Sequence, residues 1–299
     1  MKALVTGGAG FIGSHLVEHL ISKNYKVVVL DNLSTGKLKN LQNVKNKINF
    51  INIDISKKNN LSSYFKNVDL VFHLAGLSEL IPSIKKPEEY YKTNVGGTFN
   101  ILEASRKSNI KKFVYAASAS CYGEAKKLPI SENFPIDTRF PYALTKWMGE
   151  QLVINWSKIY KLPSVSLRLF NVYGKRLNFN GGYGSVFKIF LSQKLANKAL
   201  TIVGDGNQTR DFIYISDVIE AMYKTSLSKI AGEVFNVGTG REVSVNKIAD
   251  LISKKKVFIS KRPGEIERSV AGIKKIKKTI NWKPKISIKQ GINLFINNI

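Results

Sequence analysis

Tyr142 and Lys146 stand four residues apart, a spacing that puts both on one face of a helix. A nearby ammonium favours the phenolate and lowers a phenol pKa that starts at ~10. The pair is a candidate general base at neutral pH. Tyr-x-x-x-Lys is common by chance, and a half-buried helix aromatic is the plain structural alternative. Ser118 strengthens the chemical reading, because it closes a strand-length apolar run over 113–117. Ligands of open α/β sheets gather at that edge, where a hydroxyl can share a proton with Tyr142 and a substrate oxygen. A strand cap is the alternative for Ser118.

A second group of residues is suited to phosphate. Gly7, Gly10 and Gly13 recur every third position between the first apolar run and the first amphipathic stretch. Glycines there permit a tight turn and close approach of backbone to a pyrophosphate, and the following helix offers unpaired N–H groups. Asp31 ends the second apolar run, 18 residues after Gly13. A carboxylate there accepts from both ribose hydroxyls and repels a 2′-phosphate, which favours NAD over NADP. Asp54 and Ile55 follow the third run and are placed to bracket an adenine; a helix N-cap is the alternative for Asp54.

The elements that must position these residues alternate. Strand-like runs at 2–5, 26–30, 49–53, 70–74, 113–117 and 164–169 are separated by helix-length stretches, the first at 11–22. Such alternation predicts a parallel sheet covered on both faces, and handedness makes it a doubly wound, Rossmann-type α/β fold. After residue 170 the rhythm changes to Gly/Asn-rich loops, at 178–184 and 204–207. The expected organisation is a dinucleotide-binding domain over 1–170 and a smaller substrate lobe over 171–299, with 232–240 returning to the sheet.

Composition narrows the partners. Of 299 residues 43% are hydrophobic, enough for a real core. The formal charge is 47 − 21 = +26, which raises nucleic acid, anionic membrane or an anionic small molecule as partners. From residue 251 on, 13 Lys/Arg face 2 Glu, or +11, with little interleaved aromatic residue of the kind single-strand binding favours. The charge therefore reads as compositional background around an anionic small substrate, without nucleic acid. The single cysteine, Cys121, and the scattered His15, His19 and His73 offer no metal-ligand spacing. No apolar run approaches a membrane span and no signal peptide is evident, so the expected location is the cytoplasm.

Taken together, the motifs resemble those of the extended short-chain dehydrogenase/reductases, and among them the nucleotide-sugar 4-epimerases. The resemblance runs nearly end to end. It rests on Val5-Thr6-Gly7-Gly8-Ala9-Gly10-Phe11-Ile12-Gly13, Asp31-Asn32-Leu33-Ser34-Thr35-Gly36, His73-Leu74-Ala75-Gly76 and Asn94-Val95-Gly96-Gly97-Thr98. Ser118-Ala119-Ser120-Cys121-Tyr122-Gly123, Pro141-Tyr142 through Lys146, and Arg168-Leu169-Phe170-Asn171-Val172-Tyr173-Gly174 continue it. Gly204 to Phe212, Asn236-Val237-Gly238 and Arg262-Pro263-Gly264-Glu265 complete it.

The resemblance implies roles. Tyr142 would be the base, Lys146 would hold the nicotinamide ribose and Ser118 would bridge to the sugar. Gly7, Gly10, Phe11, Ile12, Gly13 and Asp31 would hold NAD, with Asn32, Ser34 and Gly36 at the adenosine ribose, and Leu74, Ala75, Gly76 and Asn94 toward the nicotinamide. Ser78 and Ser120 would lie near the sugar. Asn171, Arg210 and Arg262 would meet the substrate diphosphate and Glu265 the nucleoside ribose; an ion pair with Asp211 or Asp217 is the alternative for Arg210. Two guanidinium forks suit a diphosphate. A transient 4-keto sugar, reduced again on its other face, is the implied route.

Within the family, dehydratases place an acidic pair after this Ser, and decarboxylases place Glu two positions on. This chain has Ala119 and Ser120, which disfavours elimination, although Glu79 is a carboxylate near the expected sugar position. Ser269 aligns with the residue that borders the sugar, and its small size favours N-acetylated UDP-GlcNAc/UDP-GalNAc, with UDP-Glc/UDP-Gal alongside. Ser78 where hexose epimerases often carry Lys, and Lys175 where Pro is common, are departures that leave the sugar open, including 2-epimerisation. A 4,6-dehydratase is the rival within the family. A non-enzymatic dinucleotide-sensing or RNA-binding protein is the rival outside it. The family usually forms homodimers through two helices, here 87–108 and 142–160.

Overall fold

A computed structural model describes residues 1–57, 61–177, 186–261 and 266–297. The order is β1 (Lys2–Thr6), α1 (Phe11–Ser22), β2 (Lys26–Asp31), β3 (Ile48–Asn52), β4 (Leu70–His73), α2 (Leu80–Lys85), α3 (Pro87–Tyr90), α4 (Gly97–Arg106), β5 (Lys112–Ser118) and α5 (Pro141–Tyr160). There follow β6 (Ser164–Leu169), β7 (Asn171–Tyr173), α6 (Val186–Leu195), β8 (Leu200–Val203), β9 (Thr209–Arg210), β10 (Phe212–Tyr214), α7 (Ile215–Leu227) and β11 (Glu233–Val237). The chain closes with β12 (Val243–Ser244), α8 (Val245–Ile252), β13 (Lys256–Ile259), α9 (Lys274–Ile280) and α10 (Ile288–Ile296). Among the described residues, no helix is long and apolar enough to cross a membrane.

The expected doubly wound sheet is present. Seven strands run β11-β6-β5-β4-β1-β2-β3, with β1 pairing in parallel to both β2 and β4. In β2, Val27 to Leu30 are all buried, as expected of β-branched and aliphatic residues in a strand covered on two faces. The strand order reverses between β1 and β4, so the carboxyl ends of these two strands, Thr6 and His73, mark the topological switch point. Below it lies a core of Leu4, Leu30, Val71, Ile101, Phe113, Tyr115 and their neighbours.

The chain divides into two compact units, and the boundary is not a single break at 170. The first unit comprises Met1–Cys121, Thr138–Arg168 and Ile219–Phe235; the second comprises Tyr122–Asp137, Leu169–Val218 and Asn236–Ile299. The late return has a packing cause. The Tyr223 ring of α7 packs against His19 of α1, with ring centroids 4.8 Å apart, and against Tyr25. The strand reached near residue 233 then adds the outermost position of the sheet. In the second unit, short pairs replace a large sheet: β7 with β10, β8 with β13, and β9 with β12. Tyr173, stacked on Phe187 at 4.2 Å and near Phe295, anchors its core.

Candidate active site

The glycine turn is shaped by contacts that a side chain would prevent. Gly7 has φ +68°, and a Cβ there would come within 2.7 Å of the Ala75 nitrogen. At Gly13 a Cβ would meet the Gly7 carbonyl oxygen at 2.1 Å. Gly10 N-caps α1 without any side-chain acceptor, and no acidic residue occupies the first turn, where Phe11 and Ile12 stand. The helix therefore presents its orphan amides and positive end to an incoming phosphate.

Asp31 closes this cradle. Its carboxylate is 7% exposed and accepts from the Ala9 amide at 2.9 Å and the Leu33 amide at 2.8 Å. Burial pushes its pKa up, and the two amides act against that. Each oxygen keeps a further lone pair for a ribose hydroxyl. Around it, Asn32 accepts from the Ser34 amide at 3.0 Å, and Gly36 lies against Ala9. Asp54 accepts from both the amide and the hydroxyl of Ser56, so it caps a turn, not a helix. Burial raises its pKa, but hydrogen bonds from Ser56 and Asn32 outweigh burial and leave it low. The Ile55 side chain is core, at 4% exposed, and its carbonyl accepts from the Asn100 side chain at 2.8 Å.

The Tyr-Lys pair lies on α5, which Pro141 opens. Tyr142 packs edge-on against Tyr90, with centroids 6.5 Å apart. Burial raises the phenol pKa, while hydrogen bonding from Ser118 and Ser120 lowers it. The two serines are linked to each other, Oγ to Oγ, at 2.8 Å. Ser118 stands at the last position of β5, half-buried. Lys146 is 7% exposed, its ammonium 4.3 Å from the centroid of the Tyr115 ring. Burial depresses its pKa to about 7, with Glu150 opposing. Among the described residues no carboxylate lies within ion-pair distance of Lys146. A buried ammonium without a partner anion fits a ligand with hydroxyls, such as a cofactor ribose.

Asn94 organises the floor beside them. It lies in a single π-helical turn, Tyr91–Gly96, between α3 and α4. Turns of this kind recur at functional sites. Its side-chain oxygen accepts from the Leu77 amide at 2.8 Å, and its nitrogen donates to the Leu77 carbonyl at 3.0 Å and the Thr145 hydroxyl at 3.1 Å. Leu74, Ala75 and Gly76 thus pass over a floor tied to α5. Ser78 and Glu79 follow as exposed residues, and the Glu79 carbonyl accepts from the Tyr90 hydroxyl.

In the second unit, Asp211 is fully buried and holds together the segments that carry Arg210. Its carboxylate accepts from the Thr239 amide and hydroxyl, the Gly240 amide and the Ala271 amide. Burial pushes its pKa up against those bonds. The Asp217 carboxylate accepts from the Lys285 and Ile286 amides. Both acids considered as Arg210 partners are thus engaged by backbone. Arg210 is half-buried and donates to the Thr209 carbonyl at 2.8 Å. Asn171 donates to the Asp211 carbonyl at 3.0 Å. The Ser269 amide donates to the Thr209 carbonyl at 3.2 Å, so Ser269 lies alongside the Arg210 segment. Arg262 and Glu265 lie outside the described residues.

Several residues at these sites carry no signal of their own in the sequence. Tyr115 beneath Lys146, Thr145 against Asn94 and Asp211 beside Arg210 are brought in by partners far along the chain. Thr145 and Asp211 stand inside family motifs, but Thr145 is there only as a residue between Tyr142 and Lys146, and the acidity of Asp211 beside an arginine points to an ion pair instead.

Residues 3–238 match the model of the NAD dependent epimerase/dehydratase family. A UDP-glucose 4-epimerase of Mycolicibacterium smegmatis is 34% identical over 303 residues, covering 98% of this chain and 96% of that one. The UDP-glucose 4-epimerase of Thermotoga maritima, solved with UDP-glucose, superposes with a TM-score of 0.93 at 35% identity, over 100% of this chain and 98% of that one. A UDP-N-acetylglucosamine 4-epimerase of Methanobrevibacter ruminantium M1, solved with UDP-N-acetylmuramic acid, gives a TM-score of 0.93 at 34% identity, over 100% and 99%. The chain belongs to the NAD-dependent epimerase/dehydratase family, and its cofactor is NAD.

Proposed function

We propose that the protein is a UDP-sugar 4-epimerase whose main pair is UDP-GlcNAc and UDP-GalNAc, with UDP-Glc and UDP-Gal as a second pair. The observation that carries this reading is the serine pair at the exit of β5. Ser118 and Ser120 face Tyr142 with small hydroxyls, at the place where an eliminating enzyme needs acid and base groups. The names of the related UDP-glucose and UDP-N-acetylglucosamine epimerases support the substrate class.

In this reading Tyr142 takes the proton of the sugar C4 hydroxyl, and Ser118 holds that hydroxyl in line. Ser118 and Ser120, not Lys146, favour the phenolate against burial, and Lys146 binds the ribose of the cofactor. Gly7, Gly10, Phe11, Ile12 and Gly13 hold the pyrophosphate, and Asp31 holds the adenosine ribose. Bound NAD supplies a reversible acceptor for the C4 hydrogen with its electron pair. Inversion needs a sugar that can turn while its nucleotide stays fixed. Asn171 and Arg210, with Arg262 and Glu265, carry that fixed end, so binding energy falls on groups that do not react. Ser269, beside the Arg210 segment, leaves room for an N-acetyl group.

A homodimer through 87–108 and 142–160 is part of the proposal. Tyr91, Phe99, Leu144, Ile159 and Tyr160 of these helices are all exposed apolar side chains, more than solvent-facing helices ordinarily carry. Sedimentation of the purified protein as a monomer would remove that part.

The test is incubation of the purified protein with each of the four UDP-sugars, read by product NMR. Interconversion at C4, faster for the N-acetylated pair, is expected. Turnover confined to the non-acetylated pair refutes the Ser269 argument, and a 4-keto-6-deoxy product replaces epimerisation with dehydration.

A further inference from the structure

His73 is fully buried at the switch point and makes no part of the proton transfer described above. It is the last residue of β4, in register with Thr6, the last residue of β1. Its Nδ1 lies 2.6 Å from the Thr6 hydroxyl and its Nε2 lies 2.9 Å from the Thr98 hydroxyl. The protons of this cluster can be counted. The Thr98 hydroxyl donates its one proton to the Asn94 carbonyl at 2.6 Å. Thr98 must therefore accept from His73, which places a hydrogen on Nε2. A neutral imidazole then has a bare Nδ1, which accepts from the Thr6 hydroxyl. The Thr6 oxygen uses its lone pairs on the amides of Leu74 at 3.2 Å and Ala75 at 3.1 Å.

Each ring nitrogen thereby has one partner of the matching kind, and an imidazolium would turn a second donor onto the Thr6 hydroxyl, whose oxygen already faces the Leu74 and Ala75 amides. The groups facing His73 agree: Thr6 from β1, Thr98 from α4, the rings of Phe113 and Tyr115 from β5 at 6.0 and 5.6 Å, and the Lys146 charge from α5. Burial, then the Lys146 charge, holds the imidazole pKa down at about 3.

We propose that His73 is a positioning residue: as a neutral Nε2–H tautomer it clamps the phosphate turn to the Asn94 helix across the switch point and so sets the Leu74–Gly76 segment against the cofactor. One end of the clamp, Thr6, holds the Leu74 and Ala75 amides, and Ala75 is the backbone that Gly7 touches. The other end, Thr98, holds the carbonyl of Asn94, whose side chain holds Leu77 and Thr145. A single imidazole thus fixes both walls of the cradle. The role rests on the assignment of Leu74–Gly76 to the NAD site.

Two measurements test it. In the NAD-loaded enzyme with 15N-labelled histidine, long-range 1H–15N correlations should show His73 as the Nε2–H tautomer, unchanged from pH 8 to pH 5. An Nδ1–H tautomer, or an imidazolium in that range, overturns the proposal without any variant. The second is Thr98→Val, which removes the hydroxyl and keeps the shape. NAD should dissociate about tenfold more readily, turnover should recover when excess NAD is supplied, and Thr98→Ser should restore retention. A Thr98→Val enzyme with wild-type NAD affinity and only a lower Tm overturns the positioning role. A wild-type protein that binds no NAD refutes the assignment of the cradle instead, and the tautomer measurement separates the two failures.

Discussion

The first unit and the second bury their polar residues for different ends. In the first, His73 and Lys146 are buried side chains whose partners are threonine hydroxyls or a ring face, and both have pKa values far from their free values. In the second, the buried Asp211 spends its carboxylate on three backbone amides and one hydroxyl, and leaves Arg210 half-exposed beside it. The difference is one of purpose. Burial of a titratable side chain shifts its proton affinity, and at His73 and Lys146 that shift falls beside the reacting pair. Burial with full compensation fixes backbone, which a binding loop needs. Changes in the first unit should therefore act on turnover and pH dependence, and changes in the second on binding and stability.

The largest effect should come from Tyr142→Phe. It removes the base and keeps the ring, so kcat should fall by about 10³-fold or more. NAD should remain bound, seen by absorbance of the purified protein. A variant that still turns over would show that the buried phenol is structural and would erase the contrast at its root.

Lys146 sharpens the contrast through pH. Its folded pKa is held at about 7 by burial, against ~10.4 in the unfolded chain. Below pH 7 both states hold the proton and the burial cost is complete. Above it the folded state releases a proton that the unfolded chain retains up to ~10.4, so stability rises with pH. Between pH 7 and 9.5 the NAD-free wild type should gain about 3 kcal/mol relative to Lys146→Met, measured by urea denaturation. A gain equal in both proteins would mean that Lys146 is not the group responsible.

Asp211→Ala should cost about 2 kcal/mol of stability by leaving three amides without an acceptor. The KM for the UDP-sugar should rise as the Thr239–Gly240 turn and the Ala271 segment loosen, with NAD retention unchanged. Loss of NAD would break the separation of roles. Arg210→Lys is the mildest change. It keeps the charge and loses the planar fork, so KM should rise about tenfold with kcat little altered. A fall in kcat alone would place Arg210 in the chemistry.

Much of the fold and the site is legible in the amino-acid order. The run at 26–30 matches β2 within a residue, because a strand buried on both faces is apolar nearly throughout; the run at 164–169 matches β6, where Val165, Leu167 and Leu169 alternate with Ser164, Ser166 and Arg168, the last two paired with the buried Glu150. Gly7, Gly10 and Gly13 are legible because tight turns leave a local mark at fixed spacing. The interleaved units are not, since 122–137 and 219–235 carry no composition of their own to show which unit they join. In the sequence His73 opens the His73-Leu74-Ala75-Gly76 motif, but nothing there says what its ring bonds. Its partners stand 67 and 25 residues away, and nothing in a linear pattern links them.

The sequence by itself determined the periodic elements, the glycine turn and the chemical types of Ser118, Tyr142 and Lys146, all of which depend on neighbours within a few residues. Tertiary structure alone decided their electrical state and their support. Proton affinity depends on what surrounds a group in space, so only the fold could put Lys146 over Tyr115, empty His73 of charge, and give Asp211 three amides to hold.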